Sequence, residues 1–214
     1  MSRLKKNLQY LDPTSIARID AEMHETLRVL NNTQAPLVTF FGAHATKTDN
    51  PWYAHAERTA QALGEAGYGV VTGAGPGIME AANKGAYSTK APSIGFAAAL
   101  LKDEQRAGDY FTEKLDLEFI FVRRFGLSIK SEALLFYPGG YGTLNELFEF
   151  VTLIQVAIVD SVPMICVGSA HWRGLFAWVK EKLLDDGYVT PDHLDLVQFA
   201  DTTEEIMKIV TGHP

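Results

Sequence analysis

Apolar residues in this chain of 214 come in short runs separated by longer stretches of helical spacing. "LVTFFGA" from Leu37, "YGVVTG" from Tyr68, "SIGFAA" from Ser93, "LEFIFV" from Leu117, "ALLFYPG" from Ala133 and "PMICVG" from Pro163 are short and rich in Val, Ile and Phe, and "LVQFA" from Leu196 is a weaker seventh. Such runs, bounded by Gly, Pro and polar residues, predict strands. Between them apolar residues recur every three or four positions. "PWYAHAERTAQALGEAG" starts on a Pro suited to the first helical position and stops at Gly67. "GIMEAANKGAYS" and "HWRGLFAWVKEKLLDDG" have the same period, and from Thr143 onward Leu144, Leu147, Phe148 and Val151 define one buried face. A leading helix is predicted within residues 12–32.

Strands that alternate with helices pair in parallel, because each parallel neighbour needs a crossover. Strands apolar along their whole length belong to a sheet covered on both faces. The pattern therefore predicts the α/β class: a Rossmann-like three-layer domain with a doubly wound parallel sheet. One such domain is expected over residues 1–214, with residues 1–35 an N-terminal extension and helix. Ligands of these sheets bind outside the carboxyl ends of the strands. Three strand-to-helix turns become the places to search: residues 42–45, 73–77 and 138–143.

Composition narrows the chemistry. Hydrophobic content of 47% with 21% charged residues reads as globular. No apolar run approaches the roughly 20 residues that span a bilayer, and the basic N-terminus lacks the apolar core of a secretory signal. A net charge of −7 argues against a nucleic-acid surface, leaving Arg3, Lys5 and Lys6 as a solvated tail. Any bound anion then needs a local pocket. The single Cys, Cys166, permits no internal disulfide; its apolar run marks it as core, and a cytoplasmic setting is expected.

"VVTGAGPGIMEAA" reads strand, glycine turn, helix. Gly73, Gly75 and Gly77 allow a tight turn that a ligand can approach, and the following helix presents free N–H groups. A tight turn without a ligand fits the same residues. The turn is a poor dinucleotide fingerprint, since Ile78 stands where the third Gly belongs and no acidic residue ends the next strand. No P-loop spacing occurs either, so NAD and ATP are not expected. "YPGGYGTLNELFE" repeats the device later in the chain. Two glycine-lined helix N-termini at one sheet edge would make an anion site rich in N–H donors.

Glu146 supports two readings that do not exclude each other. Thr143 and Glu146 fit a capping box. A carboxylate one helical turn, about 5.4 Å, from a bound phosphate would also lie beside the sugar of a nucleotide. Glu149 is expected to be structural. Arg123 and Arg124 follow the run "LEFIFV", where an Arg fork suits a phosphate and a surface pair is the plain alternative.

Taken together, "GAGPGIMEAANKGA", "FVRR" and "PGGYGTLNE" resemble the LONELY GUY (LOG) family of nucleoside 5′-monophosphate phosphoribohydrolases, once labelled lysine decarboxylases. The likeness runs from about Leu37 to about Ile158, and "DEQ" at 103–105 also fits it. It implies Arg123 and Glu146 at the catalytic positions, and Gly139, Gly140, Gly142 and Thr143 as the phosphate cradle. Gly42, Gly73, Gly75, Gly77, Glu80 and Arg124 would complete the substrate pocket, with Glu80 against sugar or base. It further implies a Rossmann-like fold, a homodimer or higher oligomer, and no metal or cofactor. The chemistry implied is hydrolysis of an N-glycosidic bond of an AMP-type or cytokinin riboside monophosphate, giving free base and ribose 5-phosphate.

Three positions depart from the family pattern. Gly42-Ala43-His44-Ala45 replaces Gly-Ser-small-Arg, Arg124 replaces Lys, and Asn145 stands where an acid is frequent. These bear on substrate range and activity. A non-catalytic carrier of a nucleotide or of the phosphate-bearing molybdenum cofactor is the alternative on the same scaffold. A pyridoxal phosphate decarboxylase would need a Schiff-base Lys that no glycine-rich strand end supplies. Trp52, Tyr53 and Trp172 would mark a partner surface if exposed, and core or interface if not. Residues 98–116 form a long polar connection that could cover the site.

Overall fold

The computed structural model describes residues 13–99 and 108–212. Seven strands form one all-parallel sheet: β1 Leu37–Phe41, β2 Gly69–Thr72, β3 Ser93–Ala98, β4 Glu113–Leu117, β5 Ser131–Phe136, β6 Met164–Val167 and β7 Val197–Ala200. Their order is β4-β3-β2-β1-β5-β6-β7, and every pairing is parallel. The chain winds outward from β1 to β4, then crosses back to lay β5 on the other side of β1. That reversal is the topological switch point, and the crevice outside the carboxyl ends of β1 and β5 is where such sheets bind ligands.

Side-chain alternation sends the central strands into two cores. Leu37, Phe41, Leu134, Phe136, Met164 and Cys166 face one layer. Val38, Phe40, Leu135, Tyr137, Ile165 and Val167 face the other. The first layer takes α1 Ser15–Asn32, α4 Ile120–Ser128, α5 Tyr141–Gln155 and α6 Ser169–Val179. The second takes α2 Pro51–Glu65, α3 Ile78–Ser88 and α8 Thr203–Thr211. A π-helical turn, Lys180–Leu184, continues α6, and the short α7, Pro191–Leu194, precedes β7. Cys166 is fully buried, which pushes its thiol well above the ordinary range. Trp172 is buried as well, its indole N–H donating to the Val167 carbonyl at 3.0 Å. Tyr53 is buried too, so neither ring offers a partner surface. No described helix is long and apolar enough to cross a membrane.

One predicted strand is corrected. The run from Leu117 does not extend as a strand: β4 ends there, and Ile120 opens α4. Five apolar residues among six, broken only by Glu118, suit a buried strand and a buried helical turn equally well. What decides is a partner far away in sequence. The Glu22 carboxylate in α1 accepts the N–H groups of Glu118 and Phe119 at 2.7 and 3.2 Å, pinning the bend between β4 and α4. Arg123 and Arg124 therefore lie in the helix. The edge strand β4, "EKLDL", alternates toward solvent and carries no continuous apolar run. The expected DEQ segment and basic tail lie outside the described residues, as does much of the 98–116 connection.

Candidate functional site

At the switch point lies a cleft of about 430 Å³. The end of β1 and the turn after it, Gly73 after β2, the inner face of α4 and the first turns of α5 line it. Of the residues singled out from the sequence, Gly42, Gly73, Arg123, Arg124, Gly140, Gly142, Thr143 and Glu146 meet there. Gly75, Gly77, Glu80 and Gly139 do not line it.

Arg123 is buried, with 9% of its surface exposed. Its Nε donates to the Phe96 carbonyl at 2.8 Å and its Nη2 to the Gly73 carbonyl at 3.3 Å. A Cβ at position 73 would collide with this guanidinium, so glycine there makes room for the cation. Arg124, one position on and turned toward the rim, hydrogen-bonds Asn145 and pairs with Glu149 at 3.4 Å. The two adjacent arginines thus separate, one on the cleft floor and the other tying α4 to α5.

The glycine turns differ in what their N–H groups do. In α5 the first internal bond is Leu144 N–H to the Gly140 carbonyl at 3.0 Å. The N–H groups of Tyr141, Gly142 and Thr143 have no acceptor among the described residues. A Cβ on Gly140 or Gly142 would meet nothing within 4 Å, which marks open space in front of these donors. The capping box is corrected here. Gly140, not Thr143, is the N-cap, and no side chain caps the helix. Thr143 sits in the first turn, 4% exposed, with its side chain packed against Gly139. Its hydroxyl makes no hydrogen bond among the described residues although it borders the cleft. Glu146 lies one turn further along the same wall.

At the turn before α3 the protein's own groups occupy part of the space. Ile78 N–H donates to the Ala43 carbonyl at 3.3 Å, and Ala74 N–H to the Thr72 hydroxyl at 2.9 Å. Gly77, at φ +72°, presses against the Ala43 and His44 carbonyls, where a side chain has no room. Glu80 accepts the Gly108 N–H at 2.9 Å and lies beside Tyr53, whose hydroxyl is pushed up to about 12 by burial and then by the Glu80 charge. This carboxylate pins the segment entering β4 to α3. Of the two turns, the one before α5 is the more open: none of its first three amides has an acceptor among the described residues, whereas the first amide of α3 is taken by Ala43.

Sequence reading passed over Tyr141, 92% exposed at the cleft mouth, because the position between the glycines carries no chemical pattern of its own. Among the described residues no Lys lines the cleft, and no group of three or more His, Cys, Asp or Glu could hold a metal ion. An amine-linked pyridoxal cofactor does not fit these residues.

A family model described as "Possible lysine decarboxylase" matches residues 79–210. The chain is 24% identical over 139 residues to the cytokinin riboside 5′-monophosphate phosphoribohydrolase LOG3 of Arabidopsis thaliana, covering 65% of this chain and 64% of that protein, under two thirds of its length. To the probable cytokinin riboside 5′-monophosphate phosphoribohydrolase LOGL6 of Oryza sativa subsp. japonica it is 21% identical over 197 residues, covering 92% and 78%. Its fold matches that of the molybdenum cofactor binding protein from Rippkaea orientalis with a TM-score of 0.62 at 19% identity, covering 84% of this chain and 97% of that one. With the family model spanning more than half of its length, the chain belongs to the LOG family, whose older description is possible lysine decarboxylase.

Proposed function

We propose that the protein hydrolyses the N-glycosidic bond of a nucleoside 5′-monophosphate, releasing the free base and ribose 5-phosphate. The observation that carries this is the open N-terminus of α5, its unpaired amides and the Thr143 hydroxyl facing the cleft that also holds Arg123 and Glu146. The phosphate docks on the Tyr141, Gly142 and Thr143 N–H groups, where the helix dipole favours negative charge. One helical turn, about 5.4 Å, then separates the phosphate from Glu146, which places the ribose beside that carboxylate.

As the bond from C1′ to the base nitrogen breaks, its electron pair leaves with the base and C1′ takes on oxocarbenium character. Glu146 stabilises that cation and orients the water whose oxygen bonds to C1′. Arg123, fixed by two backbone carbonyls, anchors the substrate and favours departure of the base. Water supplies the hydroxyl at C1′ and the proton that the base takes up, so the products balance.

The test is release of free base from a panel of nucleoside monophosphates, resolved by chromatography. The parent is expected to turn over, and Glu146→Gln to lose about a hundredfold or more in rate. Equal rates in both would remove Glu146 from the reaction. A second reading, a carrier of a phosphate-bearing ligand, draws on the Gly42-Ala43-His44-Ala45 turn and on the fold shared with a molybdenum cofactor binding protein. Binding without base release from any nucleotide would favour it.

A further inference from the structure

The side chains around the cleft divide by whether protein groups already engage them. Arg123 is bound to two carbonyls, and Arg124 and Asn145 hold each other. His44, Tyr141 and Thr143 make no hydrogen bond among the described residues. Thr143 belongs to the α5 cradle and the exposed Tyr141 projects at the mouth, which leaves the imidazole of His44 without an assigned role.

The backbone around His44 is fastened on both sides. Ala43 N–H donates to the Pro138 carbonyl at 3.1 Å, tying the turn after β1 to the residue that opens the α5 turn. On the other side the Ala43 carbonyl accepts Ile78 N–H, and Gly77 packs against the His44 carbonyl. The turn is a rigid bridge between the two glycine loops. Its other residues in the cleft, Gly42, Ala43 and Ala45, have no side-chain donor. His44 is exposed and lines the same cleft as the open amides of α5.

We propose that His44 is a phosphate-binding residue, donating a side-chain N–H to the phosphomonoester held at the α5 N-terminus. This rests on the nucleotide reading above and adds a selectivity element to it. Imidazole carries an N–H donor whether neutral or protonated, and a hydrogen bond to a charged oxygen is among the stronger ones. The site then discriminates between phosphorylated and unphosphorylated ligands through a side chain as well as through backbone amides.

Calorimetric titration with ribose 5-phosphate and, separately, with adenine tests this. His44→Ala is expected to weaken ribose 5-phosphate about tenfold, as for a lost bond to a charged group. His44→Gln, which keeps a side-chain N–H, should recover most of that affinity, while adenine binds all three proteins alike. Unchanged ribose 5-phosphate affinity in His44→Ala overturns the assignment, and so does a parallel loss of adenine binding. A parent protein that binds no ribose 5-phosphate overturns the nucleotide reading itself, and the role of His44 with it.

Discussion

His55 in α2 holds Nδ1 3.0 Å from the hydroxyl of the fully buried Tyr137, while its Nε2 is buried without a hydrogen-bond partner. Burial lowers its pKa, and the charge of Arg58 lowers it further, against smaller opposing contributions from Asp201 and Glu204. The unfolded chain therefore binds a proton at this position before the folded protein does. Stability from the neutral ring is fully present above the ordinary imidazole value of about 6.5 and is lost as pH falls below it. Asp201, depressed first by its bond from the Ser169 hydroxyl, contributes in a separate window. Its stabilisation is lost only as pH falls through the carboxylate range. Thermal unfolding between pH 7.5 and 5 should show a falling Tm in the parent, and a flatter profile in His55→Gln. The imidazole itself was legible as a residue, but its burial was not, because Tyr137 reaches it from 82 positions away.

At the scale of elements, α4 shows a distant contact at a boundary that local pattern misreads. Its apolar start reads as strand, and its N-cap, Phe119, makes no side-chain cap bond. Glu22 closes the two N–H groups from across the α1–α4 interface. Removing it by Glu22→Ala should destabilise the fold by about 2 kcal/mol, in the range for hydrogen bonds to a charged group, measured as a shift of the urea midpoint at constant slope. Arg123 lies in the second turn of this helix, so base release should fall along with stability. The start of α5 was misjudged for a related reason. Thr143 and Glu146 have capping-box spacing, yet the helix begins at Tyr141, and glycine at the cap leaves the first amides uncovered.

For the whole molecule, the reversal of strand order between β1 and β5 brings three turns, from residues some hundred positions apart, to one crevice. Beyond it, a groove of about 630 Å³ at the amino end of β5 exposes Ile129 at 51% and Ile158 at 70%. The family resemblance implies a homodimer or higher oligomer, and a second copy seated on this face is the assembly to test. Sedimentation should give twice the 23.6 kDa chain mass, and Ile129→Glu with Ile158→Glu should give monomers. A parent that sediments as a monomer at micromolar concentration would rule this assembly out.

The sequence alone determined the α/β alternation, six of the seven strands and the glycine turns. These depend on local period and on backbone freedom, which neighbouring residues control. It also brought Arg123 forward through "FVRR" and Thr143 and Glu146 through "PGGYGTLNE". Only the tertiary structure decided which glycine turn stays open. The Ala43 carbonyl, 35 positions from Ile78, takes the first amide of α3, whereas none of the first three amides of α5 has an acceptor among the described residues. It likewise decided that Arg123 is fixed on the floor by Phe96 and Gly73 while Arg124 turns to Asn145 and Glu149. Hydrogen bonds between segments far apart in sequence set these outcomes, and such pairings exist only once the sheet has brought the segments together.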